Sequence, residues 1–400
     1  MKAVSKIAEG VHASTTLAVD SLAKQMKEDG YDVIRFGTGE PDFNTPDNIN
    51  MAAIAAICDG KTKYTPAAGI PALRKAIAKQ LQDDCGLSYD YTQIVVASGA
   101  KHSVYIALAA ITNPGDEIII PAPFWVSYYE MVKMTGGVPV IVTAGEESGF
   151  KVTASQIEAA ITDKTKCLML NNPSNPTGMI YSKDELKSIA EVCVKHDLYI
   201  LADEIYYKLI YDGIEFTSIA SLGDEVKERC LLINGVSKSY AMTGWRIGYC
   251  ACPPDLAKAV TKLQGQYTSG ASSIAQKAAE AAYTGPQDCV AEMCAAFRRR
   301  RDLVVKLASA IPGLKVNRPE GAFYLFPEVS AYMGTTAPDG SVIATSGDLA
   351  MYLLREAHVA TVDGAAFSAP GYIRLSYATS DEAIREALAR IADALARLRK

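Results

Sequence analysis

Histidine is scarce in this chain of 400 residues: only His12, His102, His196 and His358 occur, none in a His-Glu-x-x-His or similar ligand spacing. That pattern argues against a structural or catalytic metal. The nine cysteines are odd in number and contain no Cys-x-x-Cys pair, so they read as reduced core residues of a cytosolic protein. No apolar run approaches the roughly 20 residues that cross a bilayer. The first ten residues carry Lys2, Lys6 and Glu9 without a signal-type apolar stretch, so no membrane is expected as a partner and the cytoplasm is the expected location. Charge of one sign is also lacking, with 45 acidic against 40 basic residues. The one basic block, Arg298-Arg299-Arg300-Arg301, falls in a helical pattern from Val290 to Ile311, where it reads as a solvated face or an intersubunit surface. Nucleic acid is not an expected partner. No Gly-x-Gly-x-x-Gly follows a strand, which argues against a nicotinamide dehydrogenase. Gly60-Lys61-Thr62 resembles the tail of a phosphate loop, but position 55 is Ala. Ser98-Gly99-Ala100-Lys101 and Ser21-Leu22-Ala23-Lys24 match the Ser-x-x-Lys of serine acyl enzymes without its companion motifs.

What is present is alternation. From Pro46 onward, helical patterns alternate with short apolar runs at 94–97, 117–121, 138–142, 167–170, 199–202, 230–233 and 248–251. Runs buried on both faces and separated by helices predict a mainly parallel sheet in an α/β domain. Ligands of such sheets sit at the carboxyl ends of the strands. After the helical stretch ending near Ile311, strands are predicted at 322–326 and 372–378 and a terminal amphipathic helix over 380–400. The length supports two domains. The expected division is a large domain over 46–285 and a smaller α+β domain made of 1–45 and 286–400.

The candidate site residues cluster at the predicted strand ends. Ser237-Lys238 follows the run 230–233, and Arg246 lies eight residues beyond Lys238. A desolvated lysine can lose its proton and condense with an aldehyde, while an arginine stays charged and grips a phosphate with two parallel hydrogen bonds. Asp203 ends the run 199–202, where a buried carboxylate requires a cationic partner. Asn171-Asn172-Pro173-Ser174-Asn175-Pro176 follows the run 167–170, and its prolines can hold an amide side chain rigidly. Small residues at 98–100 leave the first amides of the next helix, expected from about His102, free to receive an anion.

Asn175-Pro176-Thr177-Gly178, Asp203-Glu204-Ile205-Tyr206, Ser237-Lys238, Arg246 and Tyr372-Ile373-Arg374-Leu375-Ser376-Tyr377 occur in the order and spacing of the fold-type I, class I pyridoxal-phosphate-dependent aminotransferases. With Gly39-Glu40-Pro41-Asp42-Phe43, Lys63-Tyr64-Thr65-Pro66 and Phe124-Trp125-Val126-Ser127-Tyr128, the chain looks closest to the bacterial aspartate aminotransferase subgroup, which also has prephenate-using members. The resemblance covers nearly the whole chain. It implies pyridoxal 5'-phosphate as cofactor, with Lys238 condensing with its aldehyde and then carrying the proton. It further implies that Asp203 pairs with the ring nitrogen, that Tyr206 and Asn175 bond the ring oxygen, and that Trp125 stacks on the ring. The phosphate would rest on the amides of Gly99, Ala100 and Lys101, beside Ser237 and Arg246, with Tyr64 of a neighbouring subunit. A homodimer with shared sites is thereby implied.

Substrate binding falls, by the same resemblance, to Arg374 with the Gly39 backbone for the α-carboxylate. Lys101, Ser14 and Thr16 would face the distal carboxylate of aspartate or glutamate. Trp125 and Asn175 line the same space. The expected reaction is amino transfer between L-aspartate and 2-oxoglutarate. Alanine, aromatic, kynurenine or prephenate substrates, or a C–S lyase reaction, are the alternatives. His12 stands where prephenate-using relatives carry a lysine or arginine, which predicts little prephenate activity. Transcription regulators that reuse the fold carry a basic helix-turn-helix module ahead of it, and none is seen before the first strand.

Overall fold

The computed structural model describes residues 3–12 and 15–400, the side chains of 15–18 and 20 excepted. Its centre is a seven-stranded sheet of β1 (Ile94–Ala97), β2 (Glu117–Ala122), β3 (Val138–Thr143), β4 (Thr165–Asn171), β5 (Tyr199–Asp203), β6 (Cys230–Gly235) and β7 (Gly248–Ala251). The spatial order is β1-β7-β6-β5-β4-β2-β3. β7 runs antiparallel to both β1 and β6, while the other neighbours are parallel. β1, β6 and β7 are buried at every position. Helices cover both faces, which is why these strands read as unbroken apolar runs rather than alternating ones.

Parallel pairing brings the carboxyl ends of β4, β5 and β6 side by side. Asn171 pairs with Asp203, and Asp203 with Ile233, so three chain reversals open onto one edge. The helix α1 (Ala100–Ile111) follows β1 directly and starts two residues earlier than the sequence pattern indicated. Gly99 makes this possible by adopting φ +88°, a conformation that L side chains resist.

A second core surrounds an antiparallel sheet of β8 (Tyr324–Leu325), β9 (Val362–Asp363) and β10 (Ile373–Ser376), in the order β9-β10-β8. The predicted strands at 322–326 and 372–378 are thus shorter than their apolar runs. Helices α2 (Asp288–Ser309) and α3 (Asp381–Ala396) pack on this core. Ser380 caps α3 by accepting from the amide of Ala383. Ile34–Arg35 pairs in parallel with Val359–Ala360, which ties the N-terminal segment to the C-terminal part of the chain. Among the described residues, no helix is long and apolar enough to cross a membrane.

The arginine block departs from its sequence reading. Arg300 and Arg301 are 7% and 0% exposed. Arg301 grips both carboxylate oxygens of Asp212 at 2.9 and 2.8 Å, and Arg300 those of Asp42 at 2.7 and 2.9 Å. Arg298 and Arg299 do face solvent, paired with Asp212 and Asp381. Consecutive helical residues point about 100° apart, so a run of four necessarily reaches the interior. There acidic partners make the burial tolerable.

Candidate active site

Lys238, Asp203, Asn175 and Arg374 converge on one cleft of about 500 Å³ at the carboxyl edge of the large sheet. Gly39, Ala100, Lys101, Trp125, Tyr206, Ser237 and Arg246 also line it. Lys238 Nζ donates to the carbonyl of Gly39 at 2.6 Å. Loss of hydration pushes its pKa down to about 8; the Glu40 carboxylate opposes that shift, and the Arg374 and Arg246 cations add to it. Asp203 is 4% exposed. Burial raises its pKa to about 6, against the stabilising effect of Tyr128 Oη, which donates to Oδ2 at 2.6 Å, the amide of Ile205 at 3.2 Å and the Lys238 charge. The carboxylate therefore has hydroxyl and amide donors but no ion pair among the described residues, a costly state for a buried acid.

The rim of the sheet holds the remaining polar groups by short-range bonds. Asn171 Nδ2 donates to the Asp203 carbonyl at 2.9 Å, and Asn171 Oδ1 accepts from the Asn175 amide at 2.8 Å. Asn175 Oδ1 in turn accepts from Arg374 Nη1 at 2.9 Å, and Arg374 Nη2 donates to the Gly37 carbonyl at 2.8 Å. The guanidinium lies 4.3 Å from the Tyr324 ring centroid and 4.9 Å from that of Phe367. The Arg374 Nε is buried without a hydrogen-bond partner among the described residues. Tyr206 Oη meets Tyr324 Oη at 2.9 Å.

The opposite pole is cationic. The Arg246 guanidinium lies against Gly99, where an added Cβ would sit 2.3 Å from Nη2. Arg246 itself adopts φ +58° and donates to the carbonyl of Thr243 at 2.9 Å. The Gly99 amide is spent on the Ala97 carbonyl at 2.8 Å, so the open donors of the helix start are those of Ala100 and Lys101. Lys101 Nζ lies 4.8 Å from the Trp125 ring centroid. Partial burial and the nearby Arg246 charge lower its pKa.

Some expected residues are elsewhere. Tyr64 is 96% exposed and does not line the cleft of its own chain. Ser14 lies outside the described residues, as does the side chain of Thr16. His12 Nδ1 meets Glu130 Oε1 at 3.0 Å beside a neighbouring cavity of about 820 Å³ rather than in the cleft. Sequence reasoning missed Tyr128 and Tyr324. Tyr128 stood in a quoted motif, yet no one-dimensional signal pairs it with Asp203 across 75 residues.

Residues 31–391 match the family model of the class I and II aminotransferases. The chain belongs to that family. This aminotransferase is 50% identical over 378 residues to the aspartate aminotransferase of Bacillus sp. strain YM-2, covering 94% of this chain and 95% of that protein. It is 48% identical to the aspartate/prephenate aminotransferase of Cereibacter sphaeroides, covering 95% and 96%. Among solved structures, the aspartate aminotransferase of Rhizobium meliloti superposes with a TM-score of 0.96 at 45% identity, covering all of both chains. The enzyme of Thermus thermophilus with maleate superposes at 0.92 and 41% identity, covering 98% of this chain and all of that one.

Proposed function

We propose that this aminotransferase moves the amino group between L-aspartate and 2-oxoglutarate with pyridoxal 5'-phosphate as cofactor. The observation that carries the reading is the convergence of Lys238 Nζ, the unpaired Asp203 carboxylate and the Arg374 fork in one cleft. The residues fit the cofactor on physical grounds. A buried carboxylate lacking a cation suits a protonated ring nitrogen, Trp125 offers a ring face, and the cradle of Gly99, Ala100, Lys101, Ser237 and Arg246 suits a phosphate dianion. When bound, the cofactor supplies an aldehyde for a primary amine and a ring that accepts the electron pair left by a departing α-proton.

The chain's own groups supply the rest. Lys238, whose pKa burial lowers to about 8, moves the proton at the substrate α-carbon through Nζ. Asp203 would keep a proton on the ring nitrogen. Tyr206 and the side-chain nitrogen of Asn175 would hold the ring oxygen, the Asn175 Oδ1 being occupied by Arg374. Arg374 binds the α-carboxylate, with the Gly39 backbone beside it. Lys101 stands over Trp125 to receive a distal carboxylate, with Ser14 and Thr16 assigned the same task. The dicarboxylate maleate in the Thermus thermophilus structure supports that polarity.

Exposed Tyr64 reaches no group of its own cleft, which supports a homodimer in which the partner's Tyr64 completes the phosphate site. The hydrophobic cores support the division at 46–285: two are built from residues 49–290 and 68–260, and another mainly from 293–395 with Phe36 and Ile205, Tyr206, Leu209 and Tyr211. Weak prephenate use remains part of the proposal, with His12 engaged by Glu130. Steady-state kinetics over a panel of amino donors with 2-oxoglutarate test the reading. Aspartate and glutamate should lead the panel, and a preference for alanine or aromatic donors contradicts it.

A further inference from the structure

The Gly37–Phe43 segment belongs to no helix or sheet, and its first part, Gly37–Glu40, forms one wall of the cleft. Two of its groups nevertheless meet the reactive side chains, and a third meets Thr243 of the cleft lining. The Gly37 carbonyl accepts from Arg374, the Gly39 carbonyl accepts from Lys238, and Glu40 Oε2 accepts from Thr243 Oγ1 at 2.9 Å. Pro41, which is buried, restricts Glu40 to an extended backbone. Irregular backbone of this kind needs an anchor to hold a defined position.

The anchor comes from the far side. Arg300 of α2 forks onto Asp42 with bonds of 2.7 and 2.9 Å, two residues from Glu40 and three from Gly39. Its guanidinium carbon lies 5.1 Å from the Phe43 ring centroid and 5.8 Å from that of Phe297. The Arg300 side chain is 9% exposed and that of Asp42 is 31%. The Arg300 Nε is buried without a hydrogen bond among the described residues, 3.6 Å from Asp381 Oδ1. A planar fork packed beside two rings is held in direction as well as distance, which a lysine cannot reproduce.

We propose that Arg300 and Asp42 are positioning residues, a latch that holds the Gly37–Glu40 wall against Lys238 and Arg374. The role in turnover rests on the aminotransferase reading above, whereas the holding of the wall does not. The latch touches neither substrate nor cofactor. It acts through the backbone carbonyls of Gly37 and Gly39 and the Glu40 carboxylate, the first acceptor and charge that Lys238 meets.

Asp42→Asn and Arg300→Lys test this by hydrogen exchange and by kinetics. Asp42 is partly solvated, so its variant keeps the test open where a change at buried Arg300 disrupts folding. The latch predicts faster amide exchange confined to peptides spanning 36–45, with β5 and β6 as protected as in the wild type. It also predicts a rise in KM for aspartate of roughly ten- to a hundredfold, since the carboxylate fork of Arg374 is misplaced, with kcat reduced less. Unchanged exchange over 36–45, or faster exchange throughout the chain, overturns the latch. Local loosening with an unchanged KM overturns its part in turnover. A wild type without transaminase activity refutes the functional reading instead, and the exchange result still decides the latch.

Discussion

Two adjacent acids, Asp203 and Glu204, stand on opposite sides of the same strand end and meet different surroundings. Asp203 lines the cleft, held by Tyr128 and the Ile205 amide, and burial raises its pKa to about 6. Glu204 does not line it, accepts from Ser218 Oγ at 2.8 Å, and is raised by burial to about 8. Both are almost fully buried. The cleft side gathers cations and leaves a carboxylate waiting for one. On the other side the Ser218 hydroxyl favours the ionised form, but burial, first, and the neighbouring Asp203 charge outweigh it and favour the neutral acid. Burial alone therefore does not mark a reactive carboxylate; the sign of the surrounding charge does.

Substitutions on the two sides should accordingly separate activity from stability. On the cleft side, Lys238→Ala should lower kcat by about 10⁴-fold or more, since both the primary amine and the proton carrier are lost. Thermal unfolding should change little, and wild-type turnover would remove Lys238 from the chemistry. Asp203→Asn should cost roughly 10²–10³-fold in kcat with the cofactor retained, the scale set by loss of one preorganised electrostatic partner. Turnover close to wild type would make Asp203 structural and erase the contrast with Glu204. Lys101→Ala should penalise aspartate and glutamate over alanine by about one to two decades in kcat/KM, because a charge-assisted contact is worth roughly 1.5–3 kcal/mol. Equal losses for all donors would assign Lys101 to the phosphate.

Away from the cleft the readout is stability, and turnover is expected to change least. Glu204 binds its proton more tightly folded than unfolded, so between its ordinary pKa of 4.5 and about 8 the unfolded state has released a proton that the native state keeps. Stability must then fall as pH rises across that window, by up to about 1.4 kcal/mol per pH unit. Glu204→Gln should flatten this slope in denaturant titrations while leaving kcat near wild type. An unaltered slope would place the ionised form of Glu204 at ease in the core.

The strand ends were legible because parallel strands buried on both faces announce themselves as short apolar runs, and because the residue after such a run must face the carboxyl edge. Asp203 and Lys238 were found that way. Tyr128 and Tyr324 were not, since their partners lie 75 and 118 residues away and nothing in their neighbourhoods encodes the pairing. The arginine block misled for a related reason. Local charge density suggests a solvated face, but Asp42 and Asp212, which draw Arg300 and Arg301 inward, are distant in sequence. The helix at Ala100 began early because Gly99 adopts a positive φ that periodicity does not register.

The most direct test of the central claim is borohydride reduction of the protein loaded with pyridoxal 5'-phosphate, followed by peptide mapping of the label. The cofactor should be fixed on Lys238, and Lys238→Ala should acquire no label. A label on any other lysine, or none on the wild type, would contradict the claim.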